Sequence, residues 1–212
     1  FDTTNASGGT FTISNVIANT TGTGGGALGL RKLGANTLVL SNTNTYAGPT
    51  TVDAGTLAVT GSLGASAVSV TGGTLAGNGN FGGNVTIAAG AMHSLAVAST
   101  TASQDTSAIT GTLAMAASTL NLTAVSLPAA GVYVLATATA GITGSPLFIN
   151  YNGIRGTVSV DATSTPKRLL LTVTPYQAWA ATHSPTGNPN DDFDLDGVPN
   201  AIEFVLGGGK AI

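Results

Sequence analysis

The 212 residues carry little charge: 7% are Asp, Glu, Lys or Arg, against 42% hydrophobic residues and 30 glycines, with a net charge of −3. That is too apolar for a disordered chain and too poor in charge for an ordinary globular surface, so a solvent face of Thr, Ser, Asn and Gly is expected. Six basic residues, adjacent only at Arg31/Lys32 and Lys167/Arg168, exclude a nucleic-acid footprint, and no apolar run reaches the roughly 18 residues of a membrane-spanning helix.

Residues 1–33 open with a short alternating strand at 11–13 (FTI), followed by Val16 and Ile17 and a glycine-rich turn at 22–26. This segment reads as the first one or two coils of a repeating array. Nothing in it looks like a charged or helical cap. The chain has no starting Met and no signal peptide, so a leader is expected to have been removed.

Residues 34–90 organise the rest. Alternating apolar positions lead into a small polar turn ending in Gly, then Thr-Leu and a further alternation, as at 52–57 (VDAGTL), 70–75 (VTGGTL) and 87–90 (IAAG). The Thr-Leu pair begins at Thr37, Thr56, Thr74 and Thr112, in steps of 19, 18 and 38, the last being twice 19. A fixed period of this kind marks a solenoid. Alternation with period 2 inside each copy makes the unit strand-turn-strand rather than helix. The predicted class is all-β, a parallel β-solenoid.

Residues 32–41 (KLGANTLVLS) and 44–59 (NTYAGPTTVDAGTLAV) resemble the autotransporter-associated β-strand repeat of large secreted passenger proteins. The resemblance is close over 24–60 and looser over 61–115. Pro49 stands where that family usually has Gly, a change that a turn accommodates because Pro presets φ. The resemblance implies a right-handed parallel β-helix, outside the cell or on the surface of a Gram-negative bacterium. It implies no enzymatic activity and carries over no catalytic residue. The absence of Cys agrees with export of a chain whose Val, Leu and Ile ladders make disulfides unnecessary.

Over 91–127 the pattern drifts. Residues 109–115 (ITGTLAM) read as another copy, 120–123 (LNLT) alternate strictly, and the polar window 99–107 reads as a loop. His93, just before it, is expected at the surface near a turn. Residues 128–174 are denser in aromatic and β-branched residues, at 132–135 (VYVL), 147–151 (LFINY), 155–160 (RGTVSV) and 169–173 (LLLTV). Asn152-Gly153 is a hairpin signal, so these strands are expected to pair antiparallel as a sheet capping the solenoid. The chain thus divides into solenoid repeats over 1–127, terminal coils or a β-sheet cap over 128–174, and short helices with an acidic loop over 175–212.

In that last segment, 174–177 (TPYQ) fits a capping box with Pro at the first helical position, opening a short helix over 176–182 that carries Trp179. Residues 192–203 (DFDLDGVPNAIE) match a twelve-position calcium loop. Asp192, Asp194 and Asp196 stand at positions 1, 3 and 5, Gly197 at the sharp turn, Val198 offers a carbonyl at 7, Asn200 stands at 9, and Glu203 at 12 can close the site with both oxygens. A hard divalent cation wants six to eight oxygens, and one calcium ion offsets the mutual repulsion of the four carboxylates. The incoming flank, with Pro185, Gly187 and Pro189, leaves no regular helix, so the loop looks more like the single-helix calcium loops of dockerins. Only one loop is present where a dockerin has two, which puts a cohesin partner in doubt. A helix over 200–206 is expected to bring Phe204 or Ile202 against Trp179, as core packing rather than a glycan site.

Three functions compete: a structural rod or fibre subunit on the bacterial surface, assembling head to tail; an adhesin binding surface glycans; and a carbohydrate-active enzyme. The first is favoured. The enzyme needs clustered acids, and Asp53, Asp105 and Asp161, spaced about three coils apart, would stand ~14 Å from one another at the usual strand spacing. At the observed period, residues 1–173 hold ~9 coils in a rod of ~43 Å.

Overall fold

The computed structural model describes residues 1–21, 23, 25–98, 105–126, 128–152, 154–183, 188–190, 192, 199, 201 and 204. The chain winds repeatedly through three sheets in a fixed order, and strands from successive coils stack on one another. The first sheet holds seven strands: Thr10–Ile13, Thr37–Leu40, Thr56–Val59, Thr74–Ala76, Met92–Val97, Thr119–Ala124 and Phe148–Asn150. The third holds Leu30–Lys32, Thr50–Val52, Val68–Val70, Val85–Ile87, Thr112–Ala116 and Gly141–Ser145. The second begins with Thr43–Asn44, Ser62–Leu63, Asn80–Phe81, Ser107–Ile109 and Gly131–Ala138, and these strands, like all those of the other two sheets, pair in parallel. The architecture is therefore a three-sided parallel β-solenoid.

Register follows from the alternation. In the first sheet the inward positions Phe11, Leu38, Leu57, Leu75, His93, Leu120 and Ile149 lie in one row. In the third, Lys32, Val52, Val70, Ile87 and Met115 do the same, and in the second, Asn44, Leu63, Phe81, Ile109 and Ala138. Each fully buried Leu or Val in these rows contributes about 1.5–3 kcal/mol of transfer free energy, and a slip of one residue would turn a whole row to solvent. The corner before the first sheet is equally fixed. Gly55 has φ 62° and sits on the carbonyls of Gly34 and Asn36 in the coil before it; an L-residue would be strained there and would collide with backbone.

The coils are not uniform. Thr37, Thr56, Thr74 and Met92 follow at 19, 18 and 18 residues, but Met92 to Thr119 takes 27 and Thr119 to Phe148 takes 29. Two expectations change as a result. Thr112 and Leu113 lie in the third sheet, with Leu113 opposite Val85, so this pair is no copy of those at Thr37, Thr56 and Thr74. The first-sheet ladder continues through Thr119 and Leu120 instead, and the step of 38 equals twice 19 by coincidence. Seven first-sheet strands rather than ~9 coils give an axial rise of ~29 Å at ~4.8 Å per strand.

At the far end the second sheet turns antiparallel: Gly131–Ala138 pairs with Lys167–Val173, which pairs with Thr157–Asp161. The antiparallel pairing expected from Asn152-Gly153 forms among these three strands, but its turn falls at 162–166, and Phe148–Asn150, expected to share in it, pairs in parallel with Thr119–Ala124 of the first sheet instead. There the Asp161 carboxylate accepts from the N–H groups of Thr163 and Ser164 and from the Thr163 hydroxyl. Asn152 builds no hairpin. Its φ is 46°, and its side-chain amide donates to Asn121 Oδ1 at 3.0 Å and to the Leu122 carbonyl at 2.7 Å, pinning the chain to the preceding coil. Helix α1, Pro175–His183, then begins with the expected capping box: Gln177 N–H donates to Thr174 Oγ1 at 3.2 Å and Thr174 N–H to Gln177 Oε1 at 2.8 Å. No helix among the described residues is long and apolar enough to cross a membrane.

Candidate functional site

Of the six residues expected to hold calcium, Asp192 is described, and it is half-buried. Asp194, Asp196, Val198, Asn200 and Glu203 lie outside the described residues, so the coordination geometry of the loop does too. Its flanks are described at a few points. The N–H of Ala201, the tenth position of the loop, donates to the carbonyl of Pro189 in the incoming flank at 3.0 Å. Phe204 packs edge-on against Tyr176 with ring centroids 5.6 Å apart, and against Trp179 at 5.9 Å; Tyr176 and Trp179 are themselves 5.9 Å apart. This is the aromatic contact expected from the sequence. It ties the segment after the loop to α1, each ring pair adding ~1 kcal/mol beyond its buried area. Among the described residues no three His, Cys, Asp or Glu side chains converge on a point where a metal would sit.

The interior holds polar groups that the sequence pattern alone does not single out. Lys32 occupies an inward position and is buried, its Nζ donating to the carbonyls of Leu33 and Gly34 at 2.8 Å and of Ala54 at 3.0 Å. Burial lowers its pKa, while the charge of Asp2 opposes that. Three carbonyl dipoles replace the water that the ammonium gives up. Tyr46, fully buried, shares a 2.7 Å hydrogen bond with Thr50, whose hydroxyl is 2.8 Å from Ser66 Oγ. Burial raises the Tyr46 pKa against the effect of those hydroxyls. Asn44 accepts from the Ile17 N–H at 3.0 Å and donates to the Asn42 and Ser62 carbonyls, linking three successive coils at one corner. The signal for all of these is parity: each stands at an inward position of the period-2 pattern. Lys32 and Asn44 satisfy turn backbone, while Tyr46, Thr50 and Ser66 satisfy one another.

His93 corrects the expectation of a surface residue. It is 1% exposed, with Leu75 and Leu120 on either side of it in the first-sheet row. The alternation of 93, 95 and 97 as inward positions carried that information, and the neighbouring polar window obscured it.

The scattered acids do not meet. Asp53 ends a third-sheet strand, where Thr71 Oγ1 donates to it at 2.7 Å and Arg31 Nε forms an exposed ion pair, holding the carboxylate below its usual range. Asp105 follows the first sheet and accepts from Ala96 N–H at 3.0 Å. Asp161 closes the antiparallel turn on the second sheet, its pKa lowered chiefly by the Thr163 hydroxyl. Three different positions around the solenoid give no paired carboxylates.

Two further features could meet a partner. The strands Thr10–Ile13 and Phe148–Asn150 each pair on one side only among the described residues. Phe11 stands in the inward row and is nonetheless 49% exposed, and Leu147 and Phe148 are 64% and 65% exposed at the other end. A cleft of about 250 Å³ opens between residues 151–156 and α1, lined among others by Tyr151, Arg155, Tyr176 and Gln177.

These features define a class first: a three-sided parallel β-solenoid whose second sheet runs on at one end into antiparallel strands followed by a short helix. Residues 30–59, the stretch from the first third-sheet strand to the third first-sheet strand, match the passenger-associated-transport-repeat family. Lys32, Asn44, Tyr46, Thr50 and Gly55 all fall within that stretch. The match supports an autotransporter passenger, broadly extracellular or at the cell surface of a Gram-negative bacterium. No curated protein matches the chain.

Proposed function

We propose that the chain is a structural subunit of a surface rod or fibre, a right-handed solenoid that adds copies head to tail. Right-handed winding follows the general preference of parallel strand crossovers. The observation that carries the proposal is the pair of open first-sheet edges, with core-row Phe11 left half-exposed at one and Phe148 exposed at the other. Open strand edges recruit further strands unless charge or proline blocks them, and residues 10–13 carry neither. Unlike ends make a heterologous contact, which continues as a filament when it does not close. The role is architectural rather than catalytic, and calcium bound by Asp192, Asp194, Asp196, Val198, Asn200 and Glu203 orders the segment after α1. Light scattering of the purified chain with calcium tests this: mass should grow with concentration, and Thr12→Lys, which puts a charge on the open edge, should stop the growth. No growth in the parent chain would end the proposal.

A second reading, an adhesin for surface glycans, is favoured by the cleft beside α1, where two tyrosines, a guanidinium and an amide offer stacking and hydrogen bonds to a sugar. Binding on a glycan array, lost in Arg155→Ala, would support it; an array without signal would remove it.

A further inference from the structure

A lone histidine interrupts an aliphatic row in the middle of the rod. His93 has Leu75 on one side and Leu120 on the other, and beyond these lie Leu57, Leu38 and Ile149. Strand Met92–Val97 of the first sheet leads through residues 98–106 to strand Ser107–Ile109 of the second. The interior contact between those strands is polar: His93 Nε2 lies 3.2 Å from Ser107 Oγ. Ser107 donates to the Gly77 carbonyl at 3.4 Å, which leaves its oxygen to accept the Nε2 proton. The Nδ1 atom is buried and has no hydrogen-bond partner among the described residues.

We propose that the His93–Ser107 contact is an acid-sensitive joint, at which protonation of His93 parts the first sheet from the second in this one coil. The neutral ring fits because its one N–H is used and its bare nitrogen, an acceptor without a proton to place, stays unpaired at modest cost. A proton on Nδ1 creates a buried cation and a second N–H with nothing to accept it. Among the described residues no compensating charge is near: strands Thr74–Ala76, Asn80–Phe81, Ser107–Ile109, Thr112–Ala116 and Thr119–Ala124 contain no Asp, Glu, Lys, Arg or second His. The acid closest in sequence, Asp105, is engaged by the Ala96 N–H on the same strand as His93. The imidazolium therefore gains stability by leaving the row for water, and the joint is the contact it must break.

Burial agrees with this geometry, pushing the His93 pKa from 6.5 down to about 4. Because the folded value lies below the unfolded one, the stabilising effect of the neutral ring is complete above pH ~6.5 and is lost as pH falls from there towards 4. Lys32, the other buried base among the described residues, differs in that its Nζ has three carbonyls to accept from it.

The test compares the full chain with His93→Leu, which restores the aliphatic row, by urea unfolding at pH 7 and pH 4. The parent should lose on the order of a hundredfold more in its folding constant than the variant does. Equal losses overturn the proposal. Imidazole NMR on the parent chain decides independently should the variant fold poorly. His93 should stay neutral at pH 5.5, and the amides of 92–97 and 107–109 should be the first to change as it charges. Titration near 6.5 with those amides unmoved overturns it as well.

Discussion

Lys32 Nζ donates to the carbonyl of Ala54 at 3.0 Å, across a full coil from its own turn, where it also holds Leu33 and Gly34 at 2.8 Å. One ammonium thus joins two stacked corners. Replacing it by a hydrophobe of similar size takes this donor from the Gly34 and Ala54 carbonyls, while the Leu33 carbonyl keeps the Thr3 N–H at 3.1 Å. Lys32→Met should cost about 1.5–3 kcal/mol, the range for hydrogen bonds to a charged group inside a protein. Urea unfolding of the chain measures it, and a loss under ~0.5 kcal/mol would show that the carbonyls find water.

Gly55 and Gly90 separate two reasons for glycine. Both have positive φ, 62° and 78°, but a side chain at Gly55 meets the carbonyls of Gly34 and Asn36, while one at Gly90 meets open space. Gly90→Ala should cost only the left-handed strain, about 1–2 kcal/mol. Gly55→Ala should cost more than that, because two stacked corners must move apart. Thermal melts of the two variants side by side check the order, and equal shifts would mean the stack is soft.

Removal of calcium should loosen the segment that Phe204 ties to Tyr176 and Trp179. Chelation is expected to expose residues 176–206 to protease while the solenoid stays intact, and Asp194→Ala should do the same without a chelator. Calorimetry that detects no calcium binding, together with an Asp194→Ala chain as resistant as its parent, would remove the site.

Much of the fold was legible because its period is written in single residues. Leu38, Leu57 and Leu75 stand in register as their spacing required, and Thr174 and Gln177 cap α1 as a capping box should. Legibility failed where coil length changed. An excursion between sheets shifts every later residue along the chain without disturbing the ladder, so Thr112 imitated a repeat and Thr119 concealed one. His93 and Lys32 were missed for another reason. A polar type at an inward position looks like a surface residue until its partners, Ser107 or the carbonyls of a stacked turn, are brought to it by folding. The acidic loop is the reverse case: its ligands are contiguous, so spacing alone suggests the chemistry, whereas the cleft beside Arg155 joins segments distant in sequence and left no local sign.

Electron microscopy of the purified chain with calcium tests the central claim most directly. Head-to-tail addition through Thr10–Ile13 and Phe148–Asn150 predicts straight filaments one solenoid wide, absent from a Thr12→Lys preparation. Single particles of uniform size at high protein concentration would contradict it.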